Sequence, residues 1–152
     1  MIKLNKFTDY PDGGVYLLKI YLAKKTEIKV GALGKNKFPA GYYFYAGTAQ
    51  KNLGARVKRH YSSDKNNHWH IDYLLAEAEL VDDYIFDLPK KGECFLTDFL
   101  QKNGSKFVLE GFGASDCSCK SHLSYFSEDK VNNVIKLIET KNIENKFSQV
   151  NI

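Results

Sequence analysis

The span 41–61, GYYFYAGTAQKNLGARVKRHY, constrains this chain more than any other stretch. It begins as a run of aromatics, meets a glycine at 47 and turns basic. The large flat side chains at 42–45 suit a pleated strand. Gly47 lets the backbone turn tightly off that strand. Over 52–61, Leu53 and Val57 stand four residues apart with Tyr61 one turn on, which predicts a short amphipathic helix. Arg56 and His60 share another face by the same spacing and project side by side. Between 47 and 61 there are four basic residues, Lys51, Arg56, Lys58 and Arg59, and no Asp or Glu. A phenol at a strand end, beside an Arg and a His on a helix, can hold a phosphate.

The flanking sequence predicts an α+β chain. Pro11 to Gly14 is a turn signal, and 14–22 is rich in branched and aromatic residues, as a buried strand would be. Ile28 and Val30 alternate in a second strand, and 40–46 forms the third, giving a small antiparallel sheet of about three strands flanked by helices. Ile71, Leu74, Leu75 and Ala78 sit at helical spacing. A further strand is expected within 79–88, although its alternation is poor. A helix over 91–103 stops at Gly104, short strands follow at 107–109 and 122–126, and Val131, Val134, Ile135 and Ile138 stripe an extra C-terminal helix over 127–140. The polar tail 141–152 is expected to fray. At 152 residues the chain fits a single domain with a core at about 13–126.

A net charge of +4 is too small to argue for nucleic acid by itself. Its distribution says more. The span 24–37 holds five Lys against one Glu, whereas 77–87 holds five acids and no base. A basic stripe opposite an acidic back suits a polyanion on one face. No apolar run is long enough to span a membrane, and the first ten residues lack the apolar core of a secretory signal. Three Cys, an odd number, fit a reducing cytoplasm better than a secreted disulfide framework. A cytoplasmic protein with no membrane partner is the expectation.

Gly14-Val15-Tyr16 opens the first strand and Tyr45-Ala46-Gly47 closes the third; Arg56 and His60 follow on a helix and Glu93 on a later one. This order resembles the GIY-YIG nuclease superfamily, with Val15 and Ala46 in place of the middle Ile of each tripeptide. Those two positions point into the sheet, where small apolar residues are tolerated. A narrower set of motifs, at 38–43, 68–75, 93–94 and 111–123, resembles a branch of that superfamily that also occurs fused to endonuclease III-type repair proteins. The resemblance covers roughly 13–126.

It implies a nuclease-like fold and metal-dependent hydrolysis of DNA phosphodiester bonds, in repair or on branched DNA, with a repair protein as a partner. Glu93 would hold one Mg²⁺ or Mn²⁺, hard ions that prefer oxygen ligands. Arg56 would neutralise charge growing on the phosphate. Tyr16 would position or deprotonate the attacking water, although a phenol of ordinary pKa is a poor base. Tyr45 would hold a phosphate oxygen or assist at the nucleophile, and His60 would relay a proton. Thr48, Lys51, Lys58, Arg59, His68 and His70 would contact the nucleic acid. Taken singly, Tyr16 and Tyr45 are two of ten tyrosines; only the ordered set points to a site.

Two other chemistries stay open. Cys117, Cys119 and His122 could bind zinc, with His68 and His70 as further donors, although a C-x-C pair strains to place both sulfurs on one ion. The same loop carries Ser115 and Asp116, which are candidates to complete a nuclease site. The rival functions are a nucleic-acid-binding module without cleavage and a zinc-stabilised interaction protein.

Overall fold

A computed structural model describes residues 7–114, 119–140 and 142–150. In chain order the elements are β1 (Gly14–Leu22), β2 (Thr26–Lys29), β3 (Lys35–Phe38), β4 (Gly41–Ala49), α1 (Leu53–Tyr61) and α2 (His70–Leu75). Then come β5 (Glu79–Phe86), α3 (Gly92–Lys102), β6 (Leu123–Phe126), α4 (Glu128–Thr140) and α5 (Ile143–Val150). The chain is α+β, as expected, but its main sheet has four strands rather than three. Their order is β5-β1-β4-β6, every neighbour antiparallel.

The strand period of two divides the side chains between two cores. Tyr16, Leu18, Ile20, Tyr43 and Tyr45 face one side, against Leu53 and Val57 of α1, Ile71 and Leu74 of α2, and Phe112. Val15, Leu17, Phe44 and Ala46 face the other, against Leu96 and Leu100 of α3 and Val131, Val134 and Ile138 of α4. With helices or loops on both faces, the central strands read as nearly continuous apolar runs. Val15 and Ala46 are buried where the sequence puts them.

The expected second strand does not join this sheet. β1 already pairs with β4 on one side and β5 on the other, so 26–29 cannot fold back onto β1. It pairs instead with 35–38, Thr26 opposite Phe38, in a separate hairpin. β5 exists, and its poor alternation has a cause: 83–86 is buried on both faces, and its register on β1 shifts between Lys19 and Ile20. The strand expected at 107–109 is absent; only Lys106 bridges to Tyr125. The tail expected to fray forms α5 over 143–150, with Ile143 and Phe147 buried one turn apart in the second core. Residues 141, 151 and 152 of that tail lie outside the described residues, as do 1–6. No helix among the described residues is long and apolar enough to cross a membrane.

Candidate active site

The site lies at one end of the sheet, where β1 and β4 carry Tyr16 and Tyr45 on the same face. Tyr16 stands opposite Gly47 in the ladder. A Cβ on Gly47 would lie 2.4 Å from Cζ of Tyr16. The glycine therefore makes room for the ring. It does not turn the chain, as its sequence context suggests, because β4 runs on to Ala49.

Helix α1 then delivers two side chains. Its buried stripe is Leu53, Val57 and His60, at i, i+4 and i+7, so His60 takes the place expected for Tyr61. Tyr61 is exposed and donates its hydroxyl to Asp83. His60 Nε2 lies 2.8 Å from the Tyr16 oxygen. Burial drops the His60 pKa to about 4, so the ring is neutral at physiological pH. Arg56 donates from Nη1 to the Thr48 carbonyl at 2.9 Å and lies over the Trp69 ring at 4.9 Å. These two contacts aim a side chain that would otherwise be free to swing.

The His-Trp-His motif enters α2 beside them. Asp72 organises it by accepting the N–H groups of His68 and Trp69 at 2.8 and 2.9 Å. Arg59 grips the same carboxylate with both terminal nitrogens, at 3.0 and 3.1 Å. Burial alone would raise the Asp72 pKa, but the bonds from Arg59 and the two backbone N–H groups outweigh it and hold the pKa below the ordinary carboxylate value. Trp69 is thus flanked by two guanidiniums, Arg56 and Arg59. His70 Nδ1 accepts the Gly113 N–H at 2.9 Å, which leaves Nε2 as the donor nitrogen of the neutral ring. Burial also lowers the His70 pKa.

Glu93 comes from the first turn of α3, where the helix dipole favours a carboxylate. Its Oε2 lies 3.3 Å from Nδ1 of His122. Between these elements lies a cavity of about 350 Å³; His60 is buried against Tyr16 and is not among the residues that line it. Tyr16, Tyr45, Thr48, Arg56, His68, His70 and Glu93 all reach it. Lys51 and Lys58 lie exposed outside it, and Arg59 is committed to Asp72 and Trp69. Trp69 and Lys90 line it without having been singled out. The signal for Trp69 was its place between two candidate histidines; Lys90 carried none beyond its closeness to Glu93.

The two phenols that line the cavity are held in their neutral forms. Burial raises the pKa of Tyr16, with Arg56 pulling the other way. Burial and then the neighbouring Tyr16 raise that of Tyr45 as well. The charged side chains lining the cavity are Arg56, Lys90 and Glu93. A single carboxylate with water for company is a donor set that suits Mg²⁺ or Mn²⁺, hard ions that retain several waters.

A second cluster lies behind Glu93. Cys94 and Cys119 are joined in a disulfide, a pairing that the odd cysteine number does not suggest. His122 Nε2 stands 3.8 Å from Cys94 Sγ. The donor atoms of Cys94, Cys119 and His122 lie within 4.8 Å of one another and could hold a metal. The zinc set expected from sequence therefore gains Cys94, while Cys117 lies outside the described residues, as do Ser115 and Asp116.

A family model described as "Domain of unknown function DUF123" matches residues 15–143. That span takes in the cavity and the cysteine cluster. No curated protein and no solved structure matches the chain.

Proposed function

The chain belongs to the DUF123 family, and from its cavity we propose a divalent-metal-dependent endonuclease of the GIY-YIG type, hydrolysing DNA phosphodiester bonds. The observation that carries this reading is one cavity that collects Tyr16 from β1, Tyr45 from β4, Arg56 from α1 and Glu93 from α3. Four distant segments supply a phosphate clamp, two phenols and a carboxylate. DNA in repair or branched form, and a repair protein as partner, rest on the resemblance to the branch fused with endonuclease III-type proteins.

Each residue has a role that its surroundings allow. Glu93 would hold one Mg²⁺ or Mn²⁺ through the oxygen not facing His122. When bound, such an ion polarises a phosphoryl oxygen and stabilises the leaving oxygen. Arg56 keeps one N–H on Thr48 and presents its others to charge growing on the phosphate. Tyr16, held by its hydrogen bond with His60 Nε2, offers the rest of its hydroxyl to the cavity and orients the attacking water. The burial that keeps His60 neutral also makes it a reluctant proton acceptor. The pair therefore orients the water more than it deprotonates it. Tyr45 and the His70 Nε2–H face the non-bridging oxygens. Lys51 and Lys58, exposed on the same basic segment, reach the flanking backbone of the DNA.

The test is cleavage of duplex, flapped and junction DNA by the purified chain with Mg²⁺ or Mn²⁺. Cutting should vanish with a chelator and fall by about 10²–10³-fold in Arg56→Ala, as when a transition-state donor is lost. DNA binding with no cutting of any substrate in either metal would make the protein a binding module and sink the enzyme reading.

A further inference from the structure

We propose that Cys94, Cys119 and His122 form a zinc site in the reduced protein, set directly behind Glu93. Three observations converge. The three donor atoms lie within 4.8 Å of one another although they come from α3 and from the segment leading into β6. Sulfur and imidazole nitrogen in a tetrahedral zinc site are about 3.6 Å apart, and Cys94 Sγ and His122 Nε2 already stand at 3.8 Å. On the opposite side of the ring, His122 Nδ1 faces Glu93 Oε2 at 3.3 Å.

That last contact fixes the chemistry. A metal-bound imidazole characteristically gives its other N–H to a carboxylate, which sets its tautomer and strengthens it as a ligand. Here Nε2 faces the sulfurs and Nδ1 faces the carboxylate, the arrangement a His–zinc–thiolate site needs. His122 is 4% exposed, whereas the cysteines are half-buried beside a surface cleft lined by Thr97 and Asp98. An ion therefore has a way in. Two thiolates and an imidazole select zinc over magnesium or calcium, and water can take the fourth position.

The disulfide is the alternative state of the same two sulfurs. A thiol reductant breaks the Cys94–Cys119 bond, supplying two electrons and two protons and becoming a disulfide itself. Zinc then displaces the two thiol protons. Cysteines close enough to bond are close enough to share an ion, because sulfurs in a tetrahedral site are about 3.8 Å apart. In the zinc form the ion ties the start of α3 to His122, and through it holds one oxygen of Glu93. This last consequence rests on the proposed role of Glu93; the zinc site itself does not.

The test is metal uptake by the full chain, reduced with a phosphine and freed of metal by a chelator, with no nucleic acid present. The expected result is about one equivalent of Zn²⁺ and protection of two of the three cysteines from alkylation. Co²⁺ in its place should show thiolate charge-transfer and tetrahedral d–d bands. Cys94→Ser and Cys119→Ser should each lose the charge-transfer intensity of one sulfur and most of the affinity. His122→Cys should keep the ion and gain charge-transfer intensity, which separates a lost ligand from a lost fold. Glu93→Gln should keep the tetrahedral bands while weakening affinity by about 10–100-fold. Uptake below about one-tenth of an equivalent by the fully reduced wild type, or a spectrum unchanged in Cys94→Ser, overturns the proposal. Zinc binding by a protein that cuts no DNA would leave this site standing and remove the endonuclease reading; cutting without zinc uptake would do the reverse.

Discussion

The phenol oxygen of Tyr16 lies 2.8 Å from Nε2 of His60 and joins β1 to α1 across 44 residues of chain. Which ring donates is set by the His60 tautomer, and burial keeps the imidazole neutral by dropping its pKa from 6.5 to about 4.

The lowered pKa is also a statement about stability. Between pH 6.5 and about 4 the unfolded chain carries a proton at His60 that the folded chain does not. Stability from this group is complete above the unfolded value and is lost as pH falls toward the folded one, by about 3 kcal/mol in all. Urea unfolding of wild type and His60→Gln, taken from neutral pH down to about pH 4, isolates the effect. The wild-type advantage should shrink by that amount across the window. A difference that stays constant with pH would contradict a buried, neutral His60.

A methyl group at position 47 would meet the Tyr16 ring, 2.4 Å from Cζ and 2.5 Å from its oxygen. Gly47→Ala should therefore destabilise the fold by about 1–3 kcal/mol, a typical cost of overpacking. The same substitution in a Tyr16→Ala background should cost much less, because the clashing ring is gone. Equal costs in both backgrounds would show that Gly47 serves some other purpose than to admit the ring.

Arg59 looks on the sequence like one more basic residue for DNA, yet it is bound to a carboxylate whose side chain is 0% exposed. Arg59→Ala should lower stability by about 3–5 kcal/mol, as when one partner of a buried pair is removed. Lys58→Ala, at an exposed neighbour, should stay within about 0.5 kcal/mol of wild type. Thermal melts of the two variants side by side decide it. An Arg59→Ala protein as stable as Lys58→Ala would mean that the Asp72 pair contributes little.

The legible parts of the fold are those whose side-chain pattern is local. The aromatic run at 42–45 and the apolar run at 14–22 announce β4 and β1 because buried strands must be apolar. The stripe Val131, Val134 and Ile138 announces α4 because a helix buries one face. The partner of 26–29 was not legible, since alternation shows that a strand exists and not which edge it takes. The helix over 143–150 was hidden in polar letters, although Ile143 and Phe147 already stood four apart. His60 and Tyr61 exchanged places because helical periodicity leaves i+7 and i+8 nearly equivalent, and tertiary packing chose i+7. At the site, the cavity gathers Tyr16, Tyr45, Arg56 and Glu93 of the five residues the ordered motifs group, while the fifth, His60, is buried against Tyr16 and does not line it. Cys94 escaped notice as a partner of Cys119 because contacts across 25 residues of chain leave no periodic trace.

The central claim is that Glu93 serves cleavage rather than grip, and a paired measurement on Glu93→Gln tests it most directly. The variant keeps the size of the side chain and removes the charge a divalent ion needs. Single-turnover cleavage of the best DNA substrate in Mg²⁺ or Mn²⁺ is compared with binding of the same DNA in Ca²⁺. The account predicts that wild type cuts, that the variant is slower by about 10²-fold or more, and that the two bind DNA with affinities within a few-fold of each other. A variant that cuts as fast as wild type, or a wild type that cuts nothing, would contradict it.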